Sequence, residues 1–147
     1  MSSFAVLLKL VHLIGLALGV GGATAKLALV LRCKADPAFV PTYLRVIKSL
    51  TRQIVLGMIL LTLSGIGWLV LGYPVTRLLV VKLVLVVAIW VLGPVIDNVV
   101  EPRFRSLAPQ PGAAASPDFV RARQRYVAFE AFATGIFYVI VVLWLLR

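Results

Sequence analysis

Four long, mostly apolar runs dominate this 147-residue chain, and a soluble domain of that length has no core large enough to hide them. A run of about 18 or more apolar residues can cross the roughly 30 Å hydrocarbon layer of a bilayer as a helix. Such runs fall at about 4–31, 54–71, 78–96 and 127–146. Lipid offers no partner for free backbone N–H and C=O groups, so each run is expected to be helical. The third contains VVKLVLVVAIWV, whose β-branched residues would favour a strand in water; at this length it reads as a span. Composition agrees, with 62% hydrophobic and 14% charged residues against about 25% charged in soluble domains. The expected fold is all-α: an integral membrane antiparallel four-helix bundle, one domain over residues 1–147. Disorder, a disulfide scaffold and a nucleic-acid-binding domain are excluded.

The connections differ in kind. Only Gly72-Tyr73-Pro74-Val75 separates the second and third runs, so these are expected to form a tight helical hairpin. Between the first and second, Asp36-Pro37 and Pro41-Thr42 offer helix-start chemistry. The amphipathic stretch from Tyr43 to Lys48 is expected to extend span 2 along the membrane surface. A flexible loop is expected at about 102–116, with Ser116 capping the last helix.

Net charge is +10, from 15 Lys and Arg against 5 Asp and Glu. Arg32, Lys34, Arg45, Lys48, Arg52, Arg103, Arg105, Arg121, Arg123 and Arg125 all fall in the two long connections. Only Arg77 and Arg147 fall at the opposite ends of the runs. The positive-inside rule then puts both long connections in the cytoplasm and both termini outside, in a bacterial inner (plasma) membrane, with the arginines against anionic lipid. Ala23-Thr24-Ala25 has the form of a signal-peptidase site, but Lys9 and His12 interrupt the run before it, so that run is expected to stay as span 1. Lone Cys33 reads as a small apolar filler.

An ionisable residue inside a span is costly unless paired or hydrated, which makes each a functional candidate. His12, Gly15, Gly19, Gly22 and Lys26 recur at steps of three and four, so they share one helix face. Bare glycine on that face admits a close helix, a second copy or a flat ligand. Lys9, His12 and Lys82 belong to one layer, where His12 and Lys82 can face a common pocket. Lys26, Arg52, Asp97, Glu101 and Glu130 belong to the other. Glu130 needs a partner, and Arg52 or Lys26 is the natural one. Lys9 and Lys26 are also placed to snorkel to an interface. Asp97 and Glu101 are expected to form a solvated cap with Arg103 and Arg105. One His, one Cys and two Met give no ligand set for zinc or Cu(I).

The segment Leu8-Lys9-Leu10-Val11-His12-Leu13-Ile14-Gly15 resembles the first span of a broad four-span superfamily. That group includes HemJ-type protoporphyrinogen oxidases, the membrane domain of CopD copper-resistance proteins and many further bacterial membrane proteins. Val81-Lys82-Leu83, Leu50-Thr51-Arg52 and Phe129-Glu130-Ala131 stand where the HemJ-type layout has similar residues. This chain carries Ala17-Leu18-Gly19-Val20-Gly21-Gly22 in place of that family's Trp-Phe-Ala-Gly. The resemblance implies b-type haem or porphyrin bound through His12 as iron ligand, in a redox role. Lys82 and Lys9 would hold the propionates, and Gly15, Gly19 and Gly22 would admit the ring. Two alternatives stand beside it. One is an integral subunit or assembly partner, including a homo-oligomer, packing through the glycine face. The other is a small transporter or proton path through Glu130, Lys26 and Arg52.

Overall fold

The computed structural model describes residues 3–110 and 113–145. Pro111 and Gly112 of the last connection, and Leu146 and Arg147 at the end of the fourth run, lie outside the described residues. The order is α1 (Ser3–Ala35), a 3₁₀ turn (Pro37–Phe39), α2 (Val40–Val70), α3 (Arg77–Val95), a π-helical turn (Ile96–Val100), α4 (Glu101–Ser106) and α5 (Pro117–Leu145). Among the described residues there is no strand. Four helical stretches are long and apolar enough to cross a membrane: Ser3–Ala35, Pro37–Val70, Arg77–Ser106 and Pro117–Leu145. The chain is a multi-pass membrane protein by that measure.

Helix ends follow local chemistry. Asp36 Oδ1 accepts from the Ala38 amide at 3.0 Å and opens the turn that leads into α2. Thr76 Oγ1 accepts from the Leu79 amide and starts α3. Ser116 Oγ accepts from the Phe119 amide at 3.1 Å, as its position before Pro117 implied. The Ser116→Ala variant should lose about 1 kcal/mol of stability, read as a lowered unfolding midpoint with unchanged helical circular dichroism. The connection after α3 is shorter than the expected 102–116, because helix continues through Ser106.

The stretch from Tyr43 to Lys48 is continuous with span 2, and two of its residues are buried rather than laid on a surface. Tyr43 and Ile47 are 0% exposed. The physical reason lies in helix length. At 1.5 Å per residue, 31–33 residues reach about 46–50 Å, well beyond a roughly 30 Å apolar layer. The surplus falls at the end bearing the long connections and needs a water-driven core of its own. Val30, Cys33, Tyr43, Ile47, Phe104, Phe119 and Tyr126 supply it, each 0% exposed. Phe104 stacks on Phe119 and Tyr126 at 5.4 and 5.0 Å, and the Tyr43 and Tyr126 hydroxyls meet at 2.8 Å. Elsewhere the chain turns its apolar side chains outward. Of the most apolar 18-residue stretch in each span, no more than 28% is buried. Lipid is as apolar as leucine, so nothing drives those side chains inward.

Close packing in the spans rests on small residues. An added Cβ on Gly15 would meet the Leu61 amide and Gly57 carbonyl, one on Gly19 faces Phe137 and Leu61, and one on Gly22 would meet Ile54. Partners on α2 fall in number as those on α1 rise. Helix α1 packs most closely on α2, then on α5, and α3 rests on α5. A bond from Trp90 Nε1 to Thr62 Oγ1, 3.1 Å, links α3 to α2.

A buried lysine among three carboxylates

Lys26 does not snorkel. It is 3% exposed, because its place on the glycine face of α1 turns it toward the other helices. Its Nζ lies 2.8 Å from Glu130 Oε1 on α5, 3.2 Å from Asp97 Oδ1 on the π-helical turn and 3.8 Å from Glu101 Oε2 on α4. The contact with Glu130 is the shortest of the three ion pairs. The Asp97 contact is a hydrogen bond donated by Nζ. Arg105 Nη2 donates to Glu101 Oε1 at 2.9 Å. The Tyr126 ring lies under the ammonium, 5.8 Å to its centroid.

Three of the five acids in the chain thus converge on one ammonium. Counted as ionised, Asp97, Glu101 and Glu130 carry three negative charges against two positive from Lys26 and Arg105. The centre is therefore short of one positive charge. Asp97 and Glu101 were expected as a solvated cap; instead they turn inward, and only Arg105 of the two arginines takes part. Two prolines shape the segment that delivers them. Pro94 and Pro102 each remove a helical amide donor, and between them the Glu101 amide bonds to the Ile96 carbonyl, five residues back. Such wide turns are frequent at functional sites. Asn98 Nδ2 donates to the Pro94 carbonyl at 2.9 Å and steadies the turn.

Two cavities flank the centre. An outer one of about 220 Å³ is lined by Lys48, Thr51, Arg52, Asp97 and Glu101. An inner one of about 190 Å³ reaches Lys26 and Glu130, with Ile54, Met58, Ile89 and Phe137 among its walls. Thr51 and Asp97 line both. Thr51 Oγ1 is buried and has no hydrogen-bond partner. Arg52, a candidate partner for Glu130, is exposed and stands at the outer cavity; Lys26 takes Glu130.

The other candidates sit in the opposite half. His12 Nδ1 lies 2.9 Å from Ser64 Oγ, and the Ser64 hydroxyl donates to the Leu61 carbonyl. With that proton committed, Nδ1 is the donor and Nε2 keeps its lone pair. Lys82 is half-buried, within electrostatic reach of the His12 ring, and Lys9 is exposed. A haem would need a slot beside His12. The glycine face that was to admit the ring is filled by α2, where a Cβ on Gly57 would overlap the Gly19 backbone. The residues of one chain therefore do not fit a porphyrin on that face.

Sequence reasoning grouped Lys26, Arg52, Asp97, Glu101 and Glu130 by depth but missed Thr51, Ser64 and the Tyr43–Tyr126 pair. Ser64 carried a usable signal: it is a lone serine in an apolar run, at the depth of His12. The wide turn had one too, in prolines spaced eight apart. No family model matches the chain, and no curated protein or solved structure matches it either.

Proposed function

We propose that this chain is a proton-exchanging membrane protein whose working centre is Lys26 with Glu130, Asp97 and Glu101. One observation carries the reading: a 3%-exposed ammonium shared by three carboxylates that hold one more negative charge than the two cations paired with them, Lys26 and Arg105. Burying unbalanced charge is costly, and a proton is the smallest particle that removes the imbalance. In this reading the four spans form an antiparallel bundle in an inner membrane, long connections in the cytoplasm and both termini outside. Protons reach the centre through the outer cavity, past Asp97 and Glu101, and Glu130 exchanges them against Lys26. Thr134 and Thr24 stand further along, Thr24 bonded to the Tyr138 hydroxyl at 2.9 Å. Glutamine at position 130 keeps the shape and removes the titrating group.

The test is proton flux into vesicles reconstituted with the whole protein, with a trapped pH dye and a potassium-diffusion potential. Flux above protein-free vesicles is expected, falling at least about tenfold in Glu130→Gln, in line with the loss of a positioned proton carrier. Flux equal to that of empty vesicles, or unchanged in Glu130→Gln, would end the reading.

A further inference from the structure

The outer cavity holds opposite charges that do not touch. Lys48 and Arg52, one turn apart on α2, make no ion pair among the described residues, although Asp97 and Glu101 line the same space. Lys48 and Arg52 stand just before the apolar run that opens near Ile54, which is headgroup depth in a bilayer. From there the inner cavity leads deeper, between α2 and α3. Its walls are Ile54, Met58 and Ile89, and at its mouth stand Val55 and Trp90, 41% and 39% exposed. Thr51, with its buried and unpaired hydroxyl, stands where the two spaces meet.

We propose that this pair of cavities binds one phospholipid whose headgroup joins a phosphate to a primary ammonium, as in phosphatidylethanolamine. The phosphate takes Lys48 and Arg52, whose donors have no other ionic partner. The ammonium takes free lone pairs of Asp97 and Glu101 on the cavity side. Asp97 is the accessible one, its side chain 28% exposed. Thr51 donates its hydroxyl to a phosphate or ester oxygen, which removes its unmet hydrogen bond. One acyl chain lies in the inner cavity and leaves sideways past Val55 and Trp90 into the bilayer. Charge complementarity selects this occupant. A purely anionic lipid would answer the basic residues and leave the acids unmatched. A quaternary ammonium has no N–H to give a carboxylate.

This inference goes beyond the proton reading and fails separately from it, since it is read by bound mass and not by flux. The whole protein in mild detergent is offered an equimolar mixture of lipids with ethanolamine, choline and glycerol headgroups, chains matched, and bound lipid is read by native mass spectrometry. A single ethanolamine lipid should be retained about tenfold over the choline lipid, the equivalent of one charge-assisted hydrogen bond. Asp97→Asn, and separately Lys48→Ala with Arg52→Ala, should bring retention down to the choline level. The two basic residues are exposed, so that variant keeps its fold. Val55→Trp, at the rim of the groove, should also release the lipid. Equal retention of ethanolamine and choline lipids would overturn the proposal. So would preference for the glycerol lipid unaffected by Asp97→Asn, which would leave only a basic surface at work.

Discussion

Replacing Lys26 with methionine is expected to destabilise the protein by about 3–5 kcal/mol, the range for breaking a buried ion pair from one side. Methionine nearly matches the volume, so lost packing contributes little. The cost comes from Glu130, 4% exposed, left facing Asp97 and Glu101 with no ammonium between them. Arg105 bonds Glu101 alone and reaches neither of the others. Removing both partners is a different experiment. Lys26→Met with Glu130→Leu takes away the buried charge on each side, and swapping a buried pair for apolar residues is often neutral or better. The double variant should recover most of the loss. Equilibrium unfolding in mixed micelles measures both. A double variant as unstable as Lys26→Met would locate the cost in lysine's aliphatic stem and not in its charge.

The same residues show how far sequence carries. Spans were legible because lipid imposes one rule on every backbone group, and run length then decides. Their outer limits were less so. Where α2 leaves the apolar layer, water again drives burial, and Tyr43 and Ile47 turn inward although their amphipathic pattern suits a membrane surface equally well. Depth was also legible: counting residues along each run put Lys26, Asp97, Glu101 and Glu130 in one layer. Facing was not. Whether Asp97 looks out to Arg103 or in to Lys26 depends on the turn between Pro94 and Pro102, and one extra residue per turn rotates everything after it. For His12 the glycine pattern gave the right face and left its occupant open, since a helix and a flat ligand ask for the same bare backbone. Gly57 on α2 is what decides, and nothing in α1 announces it.

Gly57 therefore carries the second large expected effect. An alanine Cβ there would overlap the Gly19 amide and Cα, and reach the Gly15 carbonyl at 2.8 Å. All of these are backbone atoms, so no side chain can swing aside and the helices must part. Overpacking typically costs about 1–3 kcal/mol. Separation would also forfeit the contacts of Gly15 with Leu61 and Gly22 with Ile54, so Gly57→Ala should reach the top of that range and Gly57→Val exceed it. Gly21 and Gly65 are the controls, because a Cβ on either meets nothing within 4 Å. Alanine there should be neutral or stabilise by about 0.5–1 kcal/mol, the helix-interior advantage of alanine over glycine. All four variants can be read in one unfolding series. If Gly57→Ala unfolds with the two controls, the close crossing of α1 and α2 is not what holds them together. The glycine face would then be free for another occupant, and the porphyrin slot beside His12 would reopen. If it alone collapses, the face belongs to α2, and the chemistry of the chain lies with Lys26.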